Sequence, residues 1–188
     1  MDRMAGFVLV GGNSTRMGRD KAQLPLHGRT LVEHIAGAVA EAAGSVTLIG
    51  APERYRGLGI RMLPDSRPGA GPLGGICTAL ASTDAEWNLI VACDMPGISA
   101  PFLRRLLDAA RGSAADCLLP SGPGGLPEPL CAVYHSRCRE AVSRALGRGV
   151  RKVTAGLAGL NIASWKVGEA QWFRNVNTPE EWAGYLHE

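Results

Sequence analysis

Aromatic residues are scarce in this chain, at 5% of its 188 residues, and no block of lysine or arginine is interleaved with them. Together with a net charge of only +3, that excludes the broad basic groove of a nucleic-acid-binding protein. The charge remains compatible with an anionic small molecule. Long hydrophobic runs are also missing. The N-terminal run Ala5–Val10 is shorter than the apolar core of a signal peptide and gives way to Gly-Gly and then to Arg and Lys. Neither export nor a membrane is expected. The five cysteines, Cys77, Cys93, Cys117, Cys131 and Cys138, are odd in number and contain no C-x-x-C pair or zinc spacing. They point to a reducing compartment, the cytoplasm, and read as small buried hydrophobes rather than ligands or nucleophiles.

Hydrophobic residues at 46% and charged residues at 20% are near the averages for water-soluble globular chains, and the length suits one domain spanning 1–188. Apolar runs of strand length alternate with stretches of helical period, which predicts an α/β fold: a three-layer, Rossmann-like domain around a mostly parallel sheet. Strands are expected at Gly6–Val10, Val46–Ile49, Ile60–Leu63, Leu89–Cys93, Cys117–Leu119 and Leu130–Tyr134. Leu31, Ile35 and Val39 mark a helix opened by a Thr30/Glu33 capping box and stopped by Gly44. Further helices are expected over Gly74–Ala81, after Ser99 with a stripe of Leu103, Leu106, Leu107 and Ala110, over Ser136–Leu146, and after Thr178-Pro179 with Trp182, Tyr185 and Leu186 inward. Pro120–Pro129 reads as a surface loop, and residues 147–173 have too little periodicity to assign.

The segment Gly11-Gly12-Asn13-Ser14-Thr15-Arg16-Met17-Gly18-Arg19-Asp20-Lys21 directly follows the first strand, where α/β sheets bind ligands outside their strand ends. Adjacent glycines let backbone N–H groups approach a polyphosphate, and Arg16 and Lys21 supply positive charge. The spacing is not that of the Walker loop, so an ordinary ATPase or GTPase is excluded. Asp94 ends the apolar strand Leu89–Cys93, which places a carboxylate at the ligand-binding edge of the sheet. Mg²⁺ prefers hard oxygen donors and is commonly held by one or two carboxylates plus substrate phosphates, so a single well-placed Asp suffices. Capping of the Met95-Pro96 turn is the competing role for Asp94; Asp65 similarly follows the run Ile60–Leu63, where Asp-Ser before Arg-Pro also reads as an ordinary turn.

The run Leu9-Val10-Gly11-Gly12 through Arg16-Met17-Gly18 to Asp20-Lys21 resembles the signature of molybdenum-cofactor guanylyltransferases, with Val10 in place of the usual Ala. Further pieces fall in the family's order: Pro64-Asp65-Ser66, Gly71-Pro72-Leu73-Gly74-Gly75-Ile76, Cys93-Asp94-Met95-Pro96, Glu128-Pro129-Leu130 and Asn175-Val176-Asn177-Thr178-Pro179-Glu180. They run nearly the full length. Glu128 departs from the family, which usually carries His there. The resemblance implies that the molybdopterin phosphate attacks the α-phosphorus of Mg·GTP, giving the guanine dinucleotide cofactor and pyrophosphate. It implies Leu9, Val10, Gly11, Gly12, Lys21, Asp65 and Asp94 at the nucleotide, Arg16, Lys21 and Asp94 in catalysis, and Asp94 at the metal. Asn175 and Asn177, two apart and so on one side of an extended strand, lie near the pterin by the same resemblance, with turn formation as the competing account. The implied partners are GTP, molybdenum-molybdopterin and proteins that deliver or receive the cofactor.

Three alternatives differ in chemistry. Cytidylyltransferases and sugar-phosphate nucleotidyltransferases share the fold, but the cytidylyl relatives usually carry Ala-Gly where Gly11-Gly12 stands. Gly69-Ala70-Gly71-Pro72-Leu73-Gly74 spells G-x-G-x-x-G with Asp94 about twenty residues on, as in NAD-binding oxidoreductases. Against that reading, its first glycine lies well past the strand end and Pro72 removes a backbone donor. A nucleotide-binding regulator without catalysis would have no need to keep both Lys21 and Asp94.

Overall fold

The computed structural model describes residues 3–11 and 20–187. In chain order the elements are β1 (Met4–Leu9), β2 (Pro25–Leu26), β3 (Arg29–Thr30), α1 (Leu31–Ala43), β4 (Thr47–Gly50), β5 (Met62–Pro64), α2 (Pro72–Ala81) and β6 (Trp87–Ala92), followed by α3 (Ala100–Arg111), β7 (Cys117–Ser121), β8 (Cys131–His135), α4 (Cys138–Gly147), α5 (Val153–Gly156), β9 (Ile162–Lys166) and α6 (Pro179–Leu186). Strands β5-β4-β1-β6-β8-β7-β9 form the seven-stranded central sheet in that order. All its pairings are parallel except the two made by β8, which runs antiparallel to both β6 and β7. β1 lies at the switch point, with β4 on one side and β6 on the other.

Period-two alternation divides the strand side chains between two buried layers. On one face Val8, Leu48, Leu89 and Val91 pack with Leu31 and Ile35 of α1, Phe102 and Leu103 of α3, and Trp182 of α6. On the other, Phe7, Ile49, Ile90 and Tyr134 pack with Leu73 and Ile76 of α2, Val142 of α4 and Val153 of α5. Helices thus cover both faces, giving the expected α/β architecture. Every residue of β6 is buried, as a strand covered on both faces requires, including the polar Asn88, whose amide donates to the Ala85 and Tyr134 carbonyls.

Local signals account for the helix ends. Thr30 accepts from the Glu33 N–H at 3.4 Å while Glu33 Oε2 accepts from the Thr30 N–H at 2.7 Å, completing the capping box of α1. Gly44 closes α1 in the left-handed region at φ 76°. Replacing Thr30 with Ala is expected to lower stability by about 1 kcal/mol. A urea melt monitored by circular dichroism checks this, and an unchanged midpoint counts against the cap. The same reciprocal box opens α6 at Thr178 and Glu181. Ser99 precedes α3 but makes no side-chain cap bond. The bond there runs from the Leu103 N–H to the Ser99 carbonyl at 3.1 Å.

Several expectations are corrected. α2 begins at Pro72 rather than Gly74, and α4 begins at Cys138 rather than Ser136. Pro120 lies within β7, and Ser121 forms a bridge to Pro127, which shortens the expected loop. Val46, Ile60 and Leu130 fall outside the strands proper. Leu186 faces outward at 49% exposure, whereas Trp182 is buried, because α6 lays only part of its surface on the core. Residues 147–173 contain α5, β9 and a 3₁₀ turn, Ala170–Phe173. All five cysteines are buried and unpaired, consistent with their role as small core residues. No helix among the described residues is long and apolar enough to cross a membrane.

Candidate active site

A cavity of about 780 Å³ opens at the carboxyl ends of β1, β4, β5 and β6, beside the switch point. Leu9, Val10 and Gly11 lead into it from β1, and Asp65 and Asp94 line it from the ends of β5 and β6. The ladder continues past the formal strand ends: the Val10 N–H donates to the Ile49 carbonyl at 2.9 Å, and the Cys93 N–H to the Leu9 carbonyl at 3.2 Å. These bonds hold the lining residues in register. Gly50 lies so close to Val10 that a Cβ there would collide with the Val10 carbonyl oxygen. Gly11 sits at φ 116°, a conformation that L side chains rarely adopt. The expected phosphate-loop residues Gly12 and Arg16 lie outside the described residues.

Asp20 and Lys21 begin a short 3₁₀ turn, Lys21–Gln23, at the cavity wall. The Asp20 Oδ1 accepts from the Ala22 N–H at 3.0 Å, and its Oδ2 accepts from the buried Tyr55 hydroxyl at 2.7 Å. Lys21 Nζ donates to the Asn177 Oδ1 at 2.8 Å and stands 3.7 Å from the Asp94 Oδ2. The segment before α6 reaches this point because the Val176 N–H donates to the Asp94 carbonyl at 3.0 Å. Residues that lie 156 positions apart in the chain are thereby brought together. Asn177 joins the site, while Asn175 is exposed.

Burial raises the pKa of the Asp94 carboxyl, and the nearby Lys21 ammonium partly offsets the rise. Glu128, beyond the end of β7, is also raised, chiefly by burial; the bond that its Oε1 accepts from the Leu130 N–H at 3.1 Å opposes this and the charge of Asp94 adds to it. The Asp94 and Glu128 carboxylates are thus near enough to feel each other's charge, and Lys21 stands against Asp94. That donor set fits Mg²⁺: a hard carboxylate at the cavity edge, with the remaining coordination left to substrate phosphates and water. Among the described residues no group of three or more His, Cys, Asp or Glu side chains could hold a metal ion.

Asp65 makes the expected turn and also faces the cavity. Its Oδ1 accepts from the Arg67 N–H at 2.8 Å, an Asx-type turn, and from the Thr78 hydroxyl of α2 at 3.0 Å, while the residue still lines the cavity. Gly71 N-caps α2, and Gly69, Gly71, Pro72 and Gly75 also line the cavity. The G-x-G-x-x-G segment thus borders the ligand space, but Gly69 is set off from β5 by the turn at Asp65, unlike a dinucleotide fingerprint. Tyr55 and Thr78 support Asp20 and Asp65, yet nothing in the sequence marked them. Both act across the fold on residues far away in the chain.

The MobA-like NTP transferase domain model matches residues 6–161. A probable molybdenum cofactor guanylyltransferase of Methanothermobacter thermautotrophicus is 36% identical over 187 residues, covering 93% of this chain and 94% of that protein. The molybdenum cofactor guanylyltransferase of Xanthomonas euvesicatoria is 34% identical, with 97% of this chain and 94% of that protein covered. Among solved structures, molybdopterin-guanine dinucleotide biosynthesis protein A from Archaeoglobus fulgidus superposes with a TM-score of 0.82 at 26% identity, covering 96% of this chain and 95% of that one. With the first strand, a lysine and a strand-end carboxylate converging on one cavity, the chain belongs to the MobA-like NTP transferase family, among the molybdenum cofactor guanylyltransferases, and is a nucleotidyltransferase.

Proposed function

We propose that this nucleotidyltransferase moves GMP from GTP to the phosphate of molybdenum-loaded molybdopterin. A molybdopterin phosphate oxygen forms a bond to the α-phosphorus of GTP. The bond from that phosphorus to the bridging oxygen breaks, and pyrophosphate leaves with the electron pair. The observation that carries the reading is the position of Lys21, its ammonium between Asp94 and Asn177 at the wall of a strand-end cavity. The two substrates are both anionic, so a cation is needed to bring them together, and transfers of this type depend mainly on alignment and charge neutralisation. When bound, Mg²⁺ would neutralise phosphate charge, with Asp94 as its protein ligand. In this reading Lys21 and Arg16 serve phosphate oxygens, Leu9, Val10, Gly11, Gly12 and Asp65 serve the nucleotide, and Asn177 and Asn175 serve the pterin side. GTP and molybdenum-molybdopterin are the proposed substrates, and the proteins that deliver or receive the cofactor are its proposed partners.

GTP is expected to bind better than CTP or ATP by about tenfold or more, because a site matched to the donors and acceptors of guanine leaves polar groups unpaired when another base enters. Competition binding against a fluorescent GTP analogue measures the ratio. A preference for CTP would move the proposal to cytidylyl transfer. The reaction itself is tested by incubating the protein with magnesium, each NTP in turn and molybdenum-loaded molybdopterin, then assaying pyrophosphate and the dinucleotide. Pyrophosphate release without dinucleotide formation would overturn the acceptor.

A further inference from the structure

Tyr55 lies between two 3₁₀ turns, Pro52–Arg54 and Arg56–Leu58, in the segment that follows β4. It is only 3% exposed, although the neighbouring Pro52, Glu53 and Arg54 line the nucleotide cavity. A tyrosine buried to this degree needs a partner for its hydroxyl, and here the partner is the Asp20 Oδ2 at 2.7 Å. Burial and the Asp20 carboxylate both push the Tyr55 pKa upward, so the hydroxyl keeps its proton and remains a donor. The bond is charge-assisted and accordingly stronger than a neutral pair.

Asp20 has a further task. Its Oδ1 accepts from the Ala22 N–H at 3.0 Å and its carbonyl accepts from the Gln23 N–H at 3.1 Å, while the Lys21 carbonyl accepts from the Leu24 N–H at 3.0 Å. These bonds set the backbone that carries Lys21. A second tie joins the same two segments, since Gln23 Nε2 donates to the Arg54 carbonyl at 3.3 Å. We infer that Tyr55 is a positioning residue for the transfer reaction: through Asp20 it fixes the turn bearing Lys21 and couples that turn to the Pro52–Arg54 wall of the same cavity. The inference rests on the reading of Lys21 as the phosphate-binding cation. Tyr55 touches no reacting atom. Its effect is to hold the Lys21 ammonium where Asn177 and Asp94 meet it, at 2.8 Å and 3.7 Å.

Tyr55→Phe removes one oxygen from a buried ring and leaves the packing in place. It is expected to lower kcat about tenfold, the scale of one lost charge-assisted hydrogen bond. The KM for GTP should stay within about twofold, since the loss falls on alignment rather than on uniform binding. In an Asp20→Ala background the same substitution should add nothing, because the partner through which it acts is gone. A readout independent of turnover is acylation of Lys21 by an N-hydroxysuccinimide acetate, followed by peptide mass spectrometry. The exposed Lys152 and Lys166 serve as internal references. Lys21 should react faster, relative to them, in Tyr55→Phe than in the parent chain. Unchanged kcat and acylation overturn the inference. So does a full further loss in the Asp20→Ala background, or a lowered melting temperature with Lys21 reactivity unmoved. If the parent protein makes no dinucleotide, the functional reading fails separately, and the acylation arm still decides whether Tyr55 controls Lys21.

Discussion

Lys21→Ala is expected to lower turnover by about a hundredfold or more, the usual cost of removing one preorganised charge aimed at a transition state. The melting temperature should move little. The Lys21–Asp94 pair is part-exposed, with side chains at 21% and 30%, and its nitrogen-to-oxygen distance of 3.7 Å is long for an ion pair. Pairs of that kind contribute little to stability. The variant also leaves Asp94 without its nearby cation, which should raise further a carboxyl pKa already raised by burial. Steady-state pyrophosphate release across a magnesium titration, with a thermal melt on the same preparation, measures both effects. If turnover survives while the protein melts earlier, Lys21 is a structural charge and the phosphate cradle lies elsewhere.

Asp94→Asn should abolish magnesium-dependent turnover and leave the fold intact. The amide keeps the shape of the side chain but offers no anionic oxygen to a hard cation. Stability has a definite sign here. A carboxyl whose pKa is higher in the folded chain than in the unfolded one costs stability once the pH rises above its unfolded value, because the folded chain resists its ionisation. Replacing it with a neutral amide removes that cost, so the melting temperature at neutral pH should hold or rise. Asp65→Asn provides the comparison. One Asp65 oxygen is already engaged by Arg67 and Thr78, so its loss should weaken nucleotide binding more than it raises the metal requirement. Near-normal activity and magnesium dependence in Asp94→Asn would show the metal assignment to be wrong.

Most of the sheet was legible because its strands are continuous apolar runs ended by residues of distinct chemistry. Val8 and Phe7 had to face opposite layers, and Asp94 had to emerge at the edge of a fully buried strand. The direction of β8 was not legible, since an apolar run buried on both faces reads the same in parallel and antiparallel pairing. β9 escaped for a different reason. It is an edge strand that alternates between exposed and half-buried residues, with only Ala163 and Trp165 turned toward the core, so it lacks the apolar signal that marks a central strand. At the site, the individual residues were visible but their relations were not. The partnership of Lys21 with Asn177, and of Asp20 with Tyr55, joins segments that local pattern cannot relate. Helical period alone turns Leu186 inward, but it says only that a stripe exists, not how wide the receiving surface is, and Leu186 lies exposed.

The 156-residue separation between Lys21 and Asn177 has a consequence for how the enzyme is born. On the ribosome the chain emerges at about 5–20 residues per second, and its amino-terminal part becomes available for folding first. The strand leading to the glycine loop, the Lys21 turn and the Tyr55 segment all appear early, and Asp94 follows. During this interval the Lys21 ammonium can meet Asp94 but has no amide partner, and the Asp94 carbonyl lacks the Val176 N–H. A nascent chain could therefore carry the anion-attracting half of the site before its geometry is complete. Assembly ends only when the segment before α6 has left the exit tunnel and docked. On the proposed role of Asn177, ribosome-stalled chains that stop short of it should be catalytically silent even where their first strands have already paired.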